Sequence, residues 1–176
     1  MPTWKTRGLR GSALEELINR TNETYREKGL ALIQKIPTPI TPIEMDAKSH
    51  HITLAYFEQK STVDYIGAVQ GVPVCFDAKE SATDTFSLQN IHEHQFKFMT
   101  EFKKQGGVAF FLIYYSKRDL YYYMNIDEMS VFYNRAIEGG RKSFRFDELD
   151  ENNFLPKKSV VFVPYLEMIA RELREE

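Results

Sequence analysis

Three residues have the types and the spacing to do chemistry together: Asp64, Asp77 after twelve intervening residues, and Lys79. Two carboxylates supply hard oxygen ligands of the kind that Mg²⁺ or Mn²⁺ takes, with water and phosphate oxygens filling the other positions. An ion held this way lowers the pKa of a bound water and neutralises charge on a phosphodiester. A neighbouring ammonium orients or helps deprotonate the attacking water, or stabilises the charge of the pentavalent phosphorane. The pattern D-x(n)-(D/E)-x-K is the signature of metal-dependent nucleases. It is a short pattern, and a solvated, charged strand end is the ordinary alternative.

The surrounding sequence predicts elements that bring the three together. Asp64–Val69 and Val72–Lys79 read as the strands of a hairpin turning at Gln70-Gly71. Asp64 starts one strand and Asp77 lies late in its partner, so the carboxylates fall side by side at one end. Residues two apart in a strand share a face, which sets Lys79 beside Asp77.

Before the hairpin, Ser12–Lys28 reads as a helix with an S-x-x-E capping box at Ser12 and Glu15 and a stop at Gly29. Leu30–Ile36 is a short strand. Pro37, Pro39 and Pro42 exclude a helix and a central strand. With a strand at His51–Glu58, residues 37–60 read as an excursion, either a hairpin-like arm or a long loop. After the hairpin come a polar loop at Glu80–Ser87, a helix at Gln89–Gln105, and a strongly apolar strand at Val108–Tyr115 that is the candidate for the sheet centre. Leu120–Met124 is a strand, Ile126–Glu138 a helix, Arg141–Phe146 a basic strand or loop, and Tyr165–Glu176 a closing helix. This order implies an α/β fold, a mixed sheet flanked by helices with a protruding arm or stalk. The expected organisation is one domain over residues 1–176 with the arm inserted at about 37–60.

Composition narrows the class. The chain is 43% hydrophobic and 14% aromatic, enough for a real core. No apolar run is long enough for a membrane span, and the first residues lack the apolar region of a signal peptide. One cysteine, Cys75, permits no internal disulfide, so a cytoplasmic protein is expected. A single Cys and four His make a structural zinc site a poor fit. A net charge of −2 weighs mildly against nucleic-acid binding. Its distribution matters more: residues 1–40 hold seven Lys/Arg against four Glu, whereas residues 147–176 hold eight acids against four bases.

Several stretches resemble the RecU-type Holliday junction resolvases, within the restriction-endonuclease-like superfamily. These are Arg10–Glu16, Thr21-Asn22, Glu27–Gly29, Ile36–Pro39, Ser61–Tyr65, Phe76–Glu80, Leu88–Gln95, Gly140–Arg145 and Asp147–Leu149. They follow the family order over about residues 7–150, and the resemblance fades beyond Leu155. It implies an endonuclease that nicks four-way junction DNA symmetrically as a homodimer, with a RecA-type recombinase as a further partner. It also implies metal ligands at Thr62, Asp64, Asp77 and Gln95, with Lys79 stabilising the transition state. Asp77 stands where the family has Glu, and Val63 where it has a second Thr. Two rival functions remain: a nuclease for duplex DNA, and a binding module without catalysis.

Other residues carry two readings each. Glu15 and Glu16 can lend a further acid to the site, although capping explains Glu15 alone. Arg7, Arg10, Arg141, Lys142 and Arg145 are candidates for DNA phosphates or simply solvated charge. His92 and His94, two apart on a helix, point in different directions and cannot share an ion. Tyr122 is expected in the core with its neighbours Tyr121 and Tyr123 on the other face, and Cys75 is expected as a buried small hydrophobe.

Overall fold

The structure is a computed structural model and describes residues 8–37, 39–57 and 62–175, the side chains of 8–12 and 57 excepted. In chain order the elements are α1 (Gly8–Glu27), β1 (Ala31–Lys35), β2 (Ile40–Asp46), β3 (His51–Phe57), β4 (Tyr65–Val69), β5 (Val72–Ser81) and β6 (Thr85–Ser87). They continue with α2 (Glu93–Lys104), β7 (Val108–Tyr115), β8 (Leu120–Asn125), α3 (Ile126–Ile137), β9 (Ser143–Arg145) and α4 (Tyr165–Glu175). No described helix is long and apolar enough to cross a membrane.

Five strands make the main sheet, in the order β1-β4-β5-β7-β8. β5 and β7 run parallel because the chain between them crosses over through α2, while the other neighbours are antiparallel. Strand side chains alternate faces, and the sheet builds two cores accordingly. Cys75, Phe111, Ile113, Tyr122 and Met124 pack with Met99 of α2 and Met129 and Phe132 of α3. Tyr65, Val74, Phe76, Phe110, Leu112 and Tyr123 pack on the opposite side with Leu14 and Ile18 of α1 and Tyr165 and Ile169 of α4. Tyr122 is thus core on one face and Tyr123 on the other, and Cys75 is fully buried. At Gly67 an added Cβ would stand 2.0 Å from the Leu32 carbonyl oxygen, so the close β1–β4 approach requires glycine there.

Several boundaries differ from the sequence reading. α1 already runs from Gly8, so Ser12 lies within the helix and the Ser12/Glu15 pair does not start it. No proline stands between Gly8 and Ser12 to stop the helix running back, and a capping motif marks only where a helix can begin. The middle of the sheet falls to β5, with β7 beside it. Residues 80–87 are not all loop: β5 extends to Ser81, and Thr85–Ser87 pair with β9. α2 begins at Glu93, after a 3-10 turn at Leu88–Asn90 capped by the Ser87 side chain.

β2 and β3 pair with each other as a separate two-stranded sheet. At its tip the Asp46 carboxylate accepts from Lys48 N at 3.0 Å and from Ser49 Oγ at 2.5 Å, which closes the turn. Pro42 is tolerated because its strand has an open edge. The ribbon presents Ile40, Ile43, Met45, Ile52, Leu54 and Tyr56, each 44–60% exposed.

Candidate active site

The β4–β5 register pairs Tyr65 with Phe76, and the next step of the ladder brings Asp64 beside Asp77. Each carboxylate is anchored by a backbone N–H of the neighbouring chain segment. Asp64 N donates to Asp77 Oδ1 at 3.1 Å, and Ala78 N donates to Asp64 Oδ2 at 3.0 Å. Ile36 N also donates to the Asp64 carbonyl at 2.8 Å, so the end of β1 holds the same bend. Lys79 follows on the same face of β5, with its ammonium against Asp77 Oδ2. Gln95, buried in the first turn of α2, donates its Nε2 to Asp77 Oδ1 at 3.2 Å and accepts from His92 N at 3.3 Å.

Asp77 is fully buried. Its Oδ1 accepts two hydrogen bonds, and its Oδ2 meets the Lys79 ammonium as an ion pair. Burial pushes the Asp77 carboxyl up to about 7; the Lys79 charge opposes this and the Asp64 charge adds to it. The folded chain therefore holds this proton more tightly than the unfolded chain, whose value is 3.8. The group is neutral to stability below 3.8, and its ionisation costs folding free energy as the pH rises from there to about 7. The full cost is on the order of 2–4 kcal/mol. In the metal-free protein, Asp77→Asn accordingly raises the melting temperature at pH 8 by roughly 5–10 °C, and by much less at pH 4.5. Thermal melts in chelator at the two pH values measure this, and an unchanged melt at pH 8 contradicts it.

The donor set fits a hard divalent ion. Asp77 Oδ2 is buried against the Lys79 ammonium, Asp64 is half-buried beside it, and Thr62 is half-buried two residues earlier. No cluster of three or more His, Cys, Asp or Glu suited to a metal occurs among the described residues. Two carboxylates with neutral oxygens suit Mg²⁺, which keeps several waters and takes up substrate phosphate oxygens. His92 is the N-cap of α2, not a helical residue as the sequence reading had it, and its ring stacks on His94 with centroids 5.4 Å apart. The rings therefore lie side by side rather than pointing apart as helical spacing predicted, and no third His, Cys, Asp or Glu joins them in a metal-binding group among the described residues.

The remaining candidates are placed as follows. Glu15 pairs with Lys35 at the end of β1. It lies close enough for its charge, with those of Asp64 and Asp77, to add to the burial that raises the Tyr65 hydroxyl. Glu16 instead forms an exposed pair with Arg20 at 2.5 Å. Arg141 and Arg135 both pair with Glu148, and Arg145 pairs with Asp147 at 2.9 Å. Lys142 is exposed, and its carbonyl accepts from Leu88 N at 3.1 Å. Arg7 lies outside the described residues, and Arg10 is described only as backbone of α1. The sequence reading missed the acidic partners of Arg141 and Arg145, although Asp147 and Glu148 stand close by in the chain. It also missed the exposed apolar side chains of the arm, whose alternation in residues 52–56 was the available signal.

An acidic pair, one carboxylate buried and one half-buried, with an adjoining lysine at the end of two neighbouring strands of a mixed sheet, is a site suited to a divalent cation and a phosphate. The family model for RecU, described as Recombination protein U, matches residues 9–171, and the chain belongs to this family. The protein named Holliday junction resolvase RecU from Lactococcus lactis is 38% identical over 179 aligned positions, covering 96% of this chain and 83% of that protein. The protein of the same name from Bacillus subtilis is 36% identical over 173 positions, covering 96% and 81%. That of a Geobacillus species is 37% identical over 147 positions, covering 81% and 73%. Among solved structures, the Holliday junction resolvase Hjc of Archaeoglobus fulgidus aligns with 64% of this chain and 74% of its own, at 9% identity and a TM-score of 0.36, too distant to bear on function.

Proposed function

We propose that this chain is a Mg²⁺-dependent endonuclease that resolves Holliday junctions, making paired symmetric nicks in four-way DNA during homologous recombination and repair. The observation that carries the reading is the convergence of Asp64, Asp77 and Lys79 at one end of the β4–β5 pair. The names borne by relatives at 36–38% identity point to the same substrate. When bound, the ion supplies an acidified water and neutralises charge at the scissile phosphate. Asp77 offers Oδ2 to it, while the backbone of the Asp64 bend and the Gln95 amide hold Oδ1 in place. Asp64, Thr62 and Gln95 complete the protein's share of oxygens. Lys79 moves its ammonium from Asp77 to the phosphate, where it orients the water and stabilises the phosphorane oxygens. A cleavage assay on a synthetic four-way junction, with and without Mg²⁺, tests the reading. Mn²⁺ is expected to substitute.

Lys79→Ala lowers the cleavage rate by about 10²–10³, the usual effect of losing one transition-state contact. Mg²⁺ affinity is retained or rises, because the ammonium no longer competes for Asp77. A calorimetric titration beside the rate measurement checks both, and collapse of metal binding would make Lys79 structural.

Paired nicks in one encounter need two sites, so the working form is a homodimer. Light scattering at micromolar concentration is expected to give twice the 20.6 kDa chain mass. The arm enters the junction centre, where distorted DNA leaves space, and Lys142 with Arg141, Arg145, Arg7 and Arg10 meets phosphates around it. A cytoplasmic setting and contact with a RecA-type recombinase accompany this role.

A further inference from the structure

We propose that the groove between the start of α2 and the end of α3 is a nucleotide subsite, which seats one unstacked base of the branched DNA with Gln89 on the base edge and Lys142 on a phosphate. The proposal rests on the junction-nuclease reading above and names where that enzyme reads the strand.

Leu88, Ile91, Tyr133 and Ile137 give the groove its apolar lining, and the cavity measures about 410 Å³. An apolar hollow of a few hundred Å³ with a few placed polar groups is the usual form of a small-ligand site. The polar groups here are Gln89 and Lys142, whose side chains have no hydrogen-bond or ion-pair partner among the described residues. Their backbones are fixed. Ser87 Oγ accepts from Gln89 N at 3.3 Å, the Lys142 carbonyl accepts from Leu88 N at 3.1 Å, and Ser87 pairs with Ser143 where β6 meets β9. Two free polar side chains are thus mounted side by side over an apolar lining.

The groove adjoins the acidic site. Tyr133 stacks on Phe96 with centroids 4.0 Å apart, and Phe96 follows Gln95, which contacts Asp77. Ile91 lies four residues before Gln95, at most about 14 Å of chain, or a few nucleotide steps of about 3.4 Å. A base laid against Tyr133 extends the Phe96–Tyr133 stack, and stacking of this kind tolerates any base. Selection among bases falls to the Gln89 amide, which offers a donor and an acceptor to a base edge. The cations nearby are already engaged: Arg135 and Arg141 pair with Glu148, and Arg145 with Asp147. Lys142 is left to meet a phosphate. Glu93 lies near the Tyr133 hydroxyl, where its charge adds to the burial that raises that group, so phosphate is favoured at Lys142 and disfavoured there. Bases at a branch point are partly unstacked before binding, which lowers the cost of seating one in a pocket.

The test uses the full chain and synthetic four-way junctions that carry each of the four bases in turn at nucleotides around the branch point. With Mg²⁺, the wild-type chain is expected to prefer one base at one position by about tenfold, and Gln89→Ala to flatten this to within about threefold. Without metal, Lys142→Ala is expected to lower the slope of log affinity against log salt by about one. Photoreactive 5-iododeoxyuridine, placed at the same nucleotides in turn, is expected to cross-link Tyr133 of the metal-free wild-type chain, as mapped by mass spectrometry. An unchanged base preference in Gln89→Ala, an unchanged salt slope in Lys142→Ala, or cross-links that fall only outside the groove each overturns the proposal. A groove that serves a protein partner instead gives all three. The cross-link comes from the wild-type chain, so it decides the matter even if a variant does not fold. A wild-type chain that binds junctions and cuts none overturns the nuclease reading, whereas the cross-link and the salt slope bear on the groove alone.

Discussion

Asp77→Ala leaves no measurable nicking of a four-way junction while the DNA stays bound. The substitution removes the buried carboxylate oxygen that faces Lys79, and with it the anchor shared by Asp64 N and the Gln95 amide. Losing an essential member of such a constellation costs on the order of 10³–10⁶ in rate. Binding to phosphates does not suffer when a negative charge is deleted. A nicking assay and a gel-shift assay on the same junction separate the two effects. Cleavage within threefold of wild type would remove Asp77 from the site. The Asn variant is equally inactive, yet it is the one expected to melt higher without metal. Activity and stability thus move in opposite directions at this position, as they do where a site keeps an unfavourable charge for function.

Replacing residues 39–58 with a short Gly-Ser bridge yields a folded, metal-binding protein that no longer prefers junctions to linear duplex. β2 and β3 pair only with each other in the described sheets, and Asp64, Asp77, Lys79 and Gln95 all lie outside the deletion. Two seven-residue strands reach roughly 20 Å at about 3.3 Å per residue, enough to probe the centre of a branched DNA. The ribbon's exposed surface is rich in Ile, Met, Leu and Tyr, while Glu44, Asp46 and Lys48 are the charged residues of its strands and turn. Such a surface suits the apolar faces of separated bases better than the phosphate backbone. Competition binding with both DNAs, next to a melt with Mg²⁺, measures the outcome. Full retention of junction preference in the folded variant would assign selectivity to the rest of the surface.

Much of this arrangement was legible in the chain. The β4–β5 hairpin announced itself through alternating apolar residues around Gln70-Gly71, and the Asp64/Asp77/Lys79 spacing then followed from strand geometry. Pro37, Pro39 and Pro42 argued against a central strand, and β2 and β3 do lie outside the main sheet. What the chain did not disclose depends on long-range pairing. The middle place of β5 follows from the β4 and β7 registers, which no local pattern encodes. β6 pairs with β9 some sixty residues later, so a three-residue strand read alone looks like loop. The start of α1 was misjudged because Ser12 and Glu15 match a capping pattern at a point where the backbone is already helical. Gln95 carries no local signal that sets it apart from a surface glutamine. Only its contact with Asp77 across the fold does so, and the resemblance to a family had to stand in for that contact.

The place of β5 has a consequence for how the molecule opens. Its strand is flanked on both edges and covered on both faces, so its amides exchange with solvent only when the whole domain unfolds. The two-stranded ribbon has open edges and breathes on a far shorter timescale. If the proposed roles hold, the adaptable part of the molecule is the ribbon that would meet the DNA, while the strands carrying Asp64 and Asp77 stay in place.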